Sequence, residues 1–517
     1  MAQPLKHRRS RAILHDLALD RDDPAPLQRQ LYGQIREAVL TGRLAPATRL
    51  PSTRTLAAEL GCSRNTVLGA FDQLIAEGYL DCRAGSGSYV SRVLPETLLA
   101  RPAARPASIA ASQPSAEPAV SASAERLAVA PAGDGLRPFA PGVPDLRLFP
   151  FDIWGRLLGR VWRRPAAELL LPGPPAGHWP LRAAIAAYLR SLRSVACTPE
   201  QLFITAGAQP ALDLVARVLL APGDPVWIEE PGYPRLRAPL ASAGARLVPV
   251  PLDAEGLSLA AGRARADDAA LAVVAPSHQY PLGVTMSLGR RLALLDWARE
   301  RGVWLVEDDY DSEYRYAGRP LAALQGLDAE RAGERGGGRV FYIGTFSKVL
   351  FPAIRLGYLV VPRELVDVFA RARAAIDAYP SAIVQPVLAA FMEEGHFAAH
   401  VRRMRQVYAR RRAAVLAAGD RHLAGLLELT PGQGGLHLVG RLTPALARRL
   451  TDREAEARAA ARGLAPRALS RFYLGPPAAS GREPPPQGLL LGFAALADDE
   501  IEPAVLRLAD ALRAEPG

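Results

Sequence analysis

Apolar positions in the first ninety residues recur with the period of helices. Leu27, Leu31, Ile35, Val39 and Leu40 share one face of a helix that Gly42 ends. In "LPSTRTLAAELGCSRNTVLGAFDQLIAEGYL", Ser52 or Thr53 caps a short helix through Leu60, Gly61 makes a turn, and Ser63 caps a second helix. Val67, Phe71, Leu74 and Ile75 form the core face of that second helix, leaving Arg64, Asn65 and Thr66 on its exposed first turn. "GYLDCRAGSGSYVS" then reads as two short strands about a glycine turn, where the backbone can approach a ligand closely.

Farther along, the pattern changes to continuous apolar runs, the mark of strands buried on both faces of an α/β sheet. Three of these runs end in polar residues. "LAVVAPSHQYPLG" leads to Ser277, His278 and Gln279; "VWLVEDDYDSE" to Glu307, Asp308, Asp309 and Tyr310; "RVFYIGTFSK" to Thr345, Ser347 and Lys348. Ligands of open α/β sheets collect beyond the carboxyl ends of the strands, so the three ends are expected to face one cleft. "LFITAGAQPALDLVARVLL" reads as a strand, a Gly-Ala-Gln turn (residues 207–209) and a helix whose open N–H groups favour a phosphate. Between the two patterns, residues 92–136 are rich in Pro, Ala and Ser and hold no apolar period, which predicts a flexible linker.

A chain of 517 residues is long enough for two to four domains with substantial cores. No stretch reaches the roughly 18 apolar residues of a membrane span, and the N-terminus has no signal-peptide pattern. The three cysteines, Cys62, Cys82 and Cys197, are too few and scattered for a disulfide framework, so a reduced cytoplasm is expected. The net charge is +11, and Lys6, Arg8, Arg9 and Arg11 stand without an acid among the first eleven residues. Residues 1–24 are expected to be a basic flexible arm. His396 and His400 lie four apart without a third ligand, so no metal is expected. "VRRMRQVYARRR" is expected to be a solvated helix face.

Lys348 is one of only two lysines among 63 basic residues. A guanidinium is a poor nucleophile, whereas a desolvated amine can lose its proton and form a Schiff base. An arginine-biased chain that keeps a lysine at a strand end favours an amine-specific role over chance retention.

The phrases "LPSTRTLA", "SRNTV", "EGYL" and "GSGSYV" occur in the order and spacing of the winged helix-turn-helix domain of GntR-type bacterial repressors, which residues 25–91 resemble. The resemblance implies binding to double-stranded operator DNA through Arg54, Ser63, Arg64, Asn65, Thr66 and the wing residue Gly87. One basic contact of some relatives is Leu68 here. Residues 137–517 resemble the α/β aminotransferase domain of fold type I, which binds pyridoxal 5′-phosphate (PLP). By that resemblance Lys348 carries the cofactor as a Schiff base, Asp308 pairs with the pyridine nitrogen, Tyr310 lies near the ring 3-oxygen and Tyr233 stacks on the ring. Gly207, Ala208, Gln209, Ser347 and Arg355 form the phosphate site.

Where many aminotransferases have Asn-Pro-x-Gly, this chain has Tyr280-Pro281-Leu282-Gly283 preceded by His278, a further candidate for a ring or effector contact. "PSHQYPLG" and "EDDYDSEYRY" instead resemble the MocR, or GabR-type, subfamily of GntR regulators. That resemblance implies a homodimeric, multi-domain regulator of amino-acid, amine or vitamin B6 metabolism that senses PLP or an amino compound. Arg235 and Arg467 are the candidates for an effector carboxylate. Leucines near "GLLLGFAAL", where aminotransferases often carry a substrate arginine, disfavour the alternative of an active aminotransferase with a DNA-binding appendage.

Overall fold

The computed structural model describes residues 17–83, 87–93, 135–316, 322–333, 337–379, 381–474 and 486–514. Most of the expected linker, residues 1–16 of the arm and residues 84–86 of the wing turn lie outside them. The chain divides into two units, residues 1–119 and 120–517.

In the first unit, helices α1 (Leu27–Leu40), α2 (Thr53–Glu59) and α3 (Arg64–Ala76) precede a hairpin of β1 (Leu80–Arg83) and β2 (Gly87–Val90). The apolar stripes read from the sequence meet in one core of Leu31, Ile35, Val39, Leu56, Val67, Phe71 and Leu74. Residues 47–50 add to the hairpin: Leu50 N donates to Ser88 O at 2.9 Å, and Arg49 bridges Tyr89. The expected flexible arm needs correction from residue 17 onward. Leu17 and Leu19 pack against the core. Gln34 exchanges amide bonds with Ala18 (3.1 and 2.7 Å) and Gln30 with Asp20 (2.9 and 2.8 Å). Primary amides on one helix face offer both a donor and an acceptor, so they hold a strand-like segment as a sheet edge would.

The second unit opens with α4 (Phe151–Arg163) and α5 (Trp179–Arg193), then β3 (Leu202–Thr205), α6 (Ala208–Leu219), β4 (Pro225–Glu230), β5 (Arg246–Asp253), β6 (Gly256–Leu257), β7 (Leu271–Val274), β8 (Trp304–Asp309), β9 (Val340–Thr345) and β10 (Gly357–Val360). These strands form one sheet in the order β3-β10-β9-β8-β7-β4-β5-β6. Strands β9, β8, β7, β4 and β5 run parallel, and β10 runs antiparallel between β3 and β9. The three polar strand ends therefore stand side by side, as expected. Helices α7 (Gln385–Glu393) and α8 (His396–His422) lead to a four-stranded antiparallel sheet of β11 (Leu427–Thr430), β12 (His437–Leu442), β13 (Arg467–Ala468) and β14 (Gly488–Gly492), closed by α9 (Ile501–Arg513).

Arg402, Arg403, Arg405 and Arg410 of the arginine-rich α8 are exposed, as expected of a solvated face, but the run is not solvated throughout. Arg411 is buried and paired with Asp145 (2.8 Å) and Asp498 (3.0 Å), and Arg405 donates to Glu313 O at 2.9 Å. An unpaired buried guanidinium would be costly, and these carboxylates and carbonyls offset that cost. His400 Nε2 donates to Val349 O at 3.1 Å; among the described residues no three metal-ligating side chains come together.

Candidate cofactor cleft and nucleic-acid surface

In the winged unit, Ser63 caps α3. Its Oγ accepts from Thr66 N at 3.1 Å and lies 2.9 Å from Thr66 Oγ1. Such a cap contributes about 1 kcal/mol to helix stability. Two of the expected DNA-contacting hydroxyls are thus engaged with each other, whereas Arg54, Arg64 and Asn65 are exposed. Gly87 has φ 104°, a conformation that favours glycine, and a Cβ there would stand 3.4 Å from Arg49 Nε. Arg49 is exposed and has no carboxylate partner among the described residues. Its place on the wing was not legible in the sequence, because only the added strand pairing of residues 47–50 puts it beside Gly87.

At the carboxyl ends of the large sheet, Asp308 lies on β8 opposite Ile343 of β9, and Lys348 follows β9 by three residues. Asp308 is 8% exposed, and its Oδ1 has no hydrogen-bond partner among the described residues. Burial, reinforced by Asp309 and Asp311, pushes its pKa up to about 7, against the pull of Lys348. A buried carboxylate oxygen lacking a donor is expensive, and it fits a group that brings a cationic N–H. Lys348 Nζ donates to Gly142 O at 2.8 Å. Burial lowers the lysine pKa and Arg235 adds to this, while Asp311 and Asp308 oppose it. The result is an amine more easily deprotonated than a surface lysine.

A pocket adjoins Asp308 and is lined by Glu229, Tyr233, Leu236 and Tyr280 among others. Tyr233 meets Tyr280 edge-on with centroids 5.3 Å apart, and Tyr280 meets Tyr310 at 5.9 Å. Glu229, which the sequence reading missed, accepts from Ala275 N (3.1 Å) and Gln279 Nε2 (3.2 Å), and burial pushes it up to about 7. Arg193 holds the end of β8 through Asp309 (2.7 Å) and the next loop through Ser277 (2.9 Å).

The Gly-Ala-Gln turn stands at the start of α6. Gly207 has φ 125°, and a Cβ on it would be 3.7 Å from Arg355 Nη1, so a guanidinium sits against the open helix end. Helix N–H groups and a guanidinium together suit a phosphate. Gln209 points elsewhere and donates to Arg235 O at 3.0 Å. Ser347 N donates to Thr345 Oγ1 at 3.2 Å.

The two arginines expected to meet an effector carboxylate differ. Arg235 has no carboxylate partner among the described residues and is an electrostatic neighbour of both Lys348 and Tyr233. Arg467 is ion-paired with Glu456 at 3.0 Å, and the same carboxylate holds Arg471 (2.6 Å). His278 faces Tyr310 and Asp311. Leu489, Leu490 and Leu491 are fully buried on β14.

Buried acid raises a testable consequence. In the unfolded chain Asp308 ionises near its ordinary value, but in the folded cofactor-free protein it holds its proton to about pH 7. The fold therefore binds more protons in that window, and stability falls as pH rises through it. Asp308→Asn in cofactor-free protein should match the wild type near pH 4 and exceed it at pH 8 by up to about 4 kcal/mol. Chemical denaturation at the two pH values measures this.

Comparison with known proteins agrees with both halves. Residues 27–90 match the family of bacterial regulatory proteins, gntR family, and residues 166–472 match aminotransferase class I and II. The probable rhizopine catabolism regulatory protein MocR of Rhizobium meliloti is 42% identical over 483 residues, spanning 93% of this chain and 92% of the relative. The HTH-type pyridoxine biosynthesis transcriptional regulator PdxR of Corynebacterium glutamicum is 33% identical, spanning 96% and 98%. The crystal structure of LysN, an α-aminoadipate aminotransferase from Thermus thermophilus complexed with N-(5′-phosphopyridoxyl)-L-leucine, superposes with a TM-score of 0.67 at 28% identity, covering 76% of this chain and 97% of that one. The chain belongs to the MocR subfamily of GntR-type transcriptional regulators, in which a DNA-binding winged helix and a PLP-binding domain of aminotransferase fold share one polypeptide.

Proposed function

We propose that this regulator couples occupancy of the cleft at Lys348 and Asp308 to its hold on an operator in the cytoplasm. The observation that carries the reading is the meeting of a desolvated lysine with a buried, donor-less Asp308 oxygen at the ends of adjacent parallel strands. PLP bound there supplies an aldehyde that condenses with a primary amine and a ring that withdraws electrons. Lys348 offers the amine and Asp308 accepts from the ring N–H. Tyr233 covers the ring, Tyr310 serves its oxygen, and Gly207, Ala208, Ser347 and Arg355 hold the phosphate. Gln209 acts one step removed, by fixing the backbone of Arg235.

The effector is PLP itself or an amino compound with a carboxylate. Arg235 is the better fork for that carboxylate, because Arg467 already spends a donor on Glu456. A ligand shifts the protein between states only by its differential affinity for them, so the effector must contact groups that differ between the DNA-bound and free forms. Efficient amino-acid turnover is disfavoured, since buried leucines fill β14 near the place where a substrate arginine is expected.

On the modules, residues 25–91 bind DNA, residues 92–136 link, and residues 137–517 bind cofactor and effector; the strap from residue 17 belongs with the first. A second copy completes the molecule. Phe151, Leu170, Leu171 and Ile383 are each more than half exposed, and α4 reaches the Ile383 segment through Trp162 Nε1 donating to Ile383 O (2.8 Å). Large exposed apolar side chains of this kind suit burial against a like surface, and a two-fold dimer reads paired half-sites.

Footprinting the full chain on the DNA upstream of its own gene tests the reading. Two spaced protected half-sites whose protection changes with PLP are expected. Protection indifferent to PLP and to amino compounds overturns the coupling. Arg49, beside the wing, joins Arg54, Arg64 and Asn65 as a proposed contact, here to phosphate. Arg49→Ala should weaken binding to operator and unrelated duplex alike and reduce the salt slope by about 1. Fluorescence titrations at several salt concentrations read both quantities.

A further inference from the structure

His278 lies in the segment after β7, and Tyr310 and Asp311 lie after β8, its parallel neighbour. The Nδ1 atom of His278 is 2.9 Å from the Tyr310 hydroxyl and 3.1 Å from each Asp311 carboxylate oxygen. Both His278 and Asp311 are buried, at 7% and 1% exposed. One nitrogen thus faces three oxygens, and it carries either a proton or a lone pair toward them.

With a lone pair on Nδ1, Tyr310 would donate to it, but two carboxylate oxygens would face the same lone pair in a buried site. With a proton on Nδ1, the imidazole donates to Asp311, and the Tyr310 oxygen shares that proton as an acceptor. Low local dielectric makes the first arrangement costly and the second favourable. In the second, the hydroxyl proton of Tyr310 turns away from His278 and is left for an acceptor on its other side.

The imidazole is also boxed in. A Cβ on Gly283 would stand 3.2 Å from His278 Nε2, and a Cβ on Gly435 would overlap the ring itself. The His437 ring stacks at a tilt 5.3 Å away, with its Nε2 donating to Pro281 O at 3.0 Å, and burial keeps it neutral with a pKa near 3. Arg193 and Arg315 line the same cavity; Arg193 is paired with Asp309. Neither the ring's plane nor its choice of partner is free to change.

We propose that His278 and Asp311 are a positioning pair that fixes Tyr310 as a hydrogen-bond donor to the cofactor's ring oxygen. They orient this donor in a chain whose Tyr280-Pro281-Leu282-Gly283 lacks the asparagine noted above. His278 does not itself touch the ring in this account; it acts through Tyr310. The inference rests on the cofactor reading of the cleft.

The test is an absorption titration of PLP-loaded full-length protein against pH, in the wild type, Tyr310→Phe, His278→Phe and the double variant. A donor to the ring oxygen favours its anion, so losing the donation raises the midpoint of the cofactor's absorption change. Tyr310→Phe should raise it by about one pH unit, a tenfold change in the equilibrium. His278→Phe should move it in the same direction, and the double variant no farther than Tyr310→Phe alone, since the histidine acts only through the tyrosine. Asp311→Asn, a smaller change that lets the imidazole adopt either tautomer, should give a part of the shift and serves if His278→Phe fails to accumulate. A Tyr310→Phe shift with none in His278→Phe or Asp311→Asn, or shifts that add in the double variant, overturns the pairing and leaves the cofactor reading intact. A wild type whose spectrum does not respond to PLP overturns the cofactor reading and the pairing with it.

Discussion

Lys348→Ala protein should bind PLP on the order of 100-fold more weakly than the wild type, a loss of about 2.7 kcal/mol. Borohydride should leave the cofactor permanently attached to the wild type and not to the variant, since only a primary amine offers a reducible link. Lys348 is the second of two lysines in the chain, its amine is desolvated, and Asp308 across the cleft lacks a donor. Phosphate and ring contacts remain in the variant, so binding should weaken without vanishing. The footprint of the variant should resemble the wild type without PLP and should not respond to added cofactor. A variant that still responds to PLP as the wild type does would remove the covalent link from the signalling account.

The second large effect is on DNA. Arg54→Ala with Arg64→Ala should cost operator affinity on the order of 10²-fold to 10⁴-fold, from about 1–3 kcal/mol per arginine that reads a base bidentately. Both side chains are exposed and outside the unit's core, so thermal unfolding of the variant should stay near the wild type. PLP binding should be unchanged, because the residues proposed to hold the cofactor all belong to residues 120–517. Gel-shift titrations on the operator and on a scrambled duplex separate base reading from phosphate attraction. Equal losses on both duplexes would assign the two arginines to the backbone instead.

These predictions draw on different amounts of sequence information. The helix faces of the winged unit were legible because apolar residues at helical spacing have one way to be buried, and Val67, Phe71 and Leu74 met Leu31 and Ile35 as that spacing implies. The cap at Ser63 was legible for a similar reason: the hydrogen bond it makes spans three residues. Lys348 and Asp308 announced themselves by chemistry at the ends of apolar runs. The arm was misread beyond residue 16. Its basic start suggested a solvated tail, and only folding packs Leu17 and Leu19 on the core and brings Gln30 and Gln34 within reach of its backbone. Arg411 of α8 was misread as part of the solvated face, since its partners Asp145 and Asp498 are far away in the chain.

By itself, then, the sequence indicated the two-part plan and the apolar strands whose polar ends hold the proposed amine and acid. These follow from periods, caps and residue types, all set within about ten positions of chain. Tertiary structure decided the rest. It paired Arg467 with Glu456 and left Arg235 without a carboxylate partner among the described residues; it set Arg49 beside the wing glycine; and it brought His278 to Tyr310 and Asp311. Each of those outcomes depends on which distant groups arrive at a few ångströms, where hydrogen bonds and desolvation act and where sequence spacing carries no information.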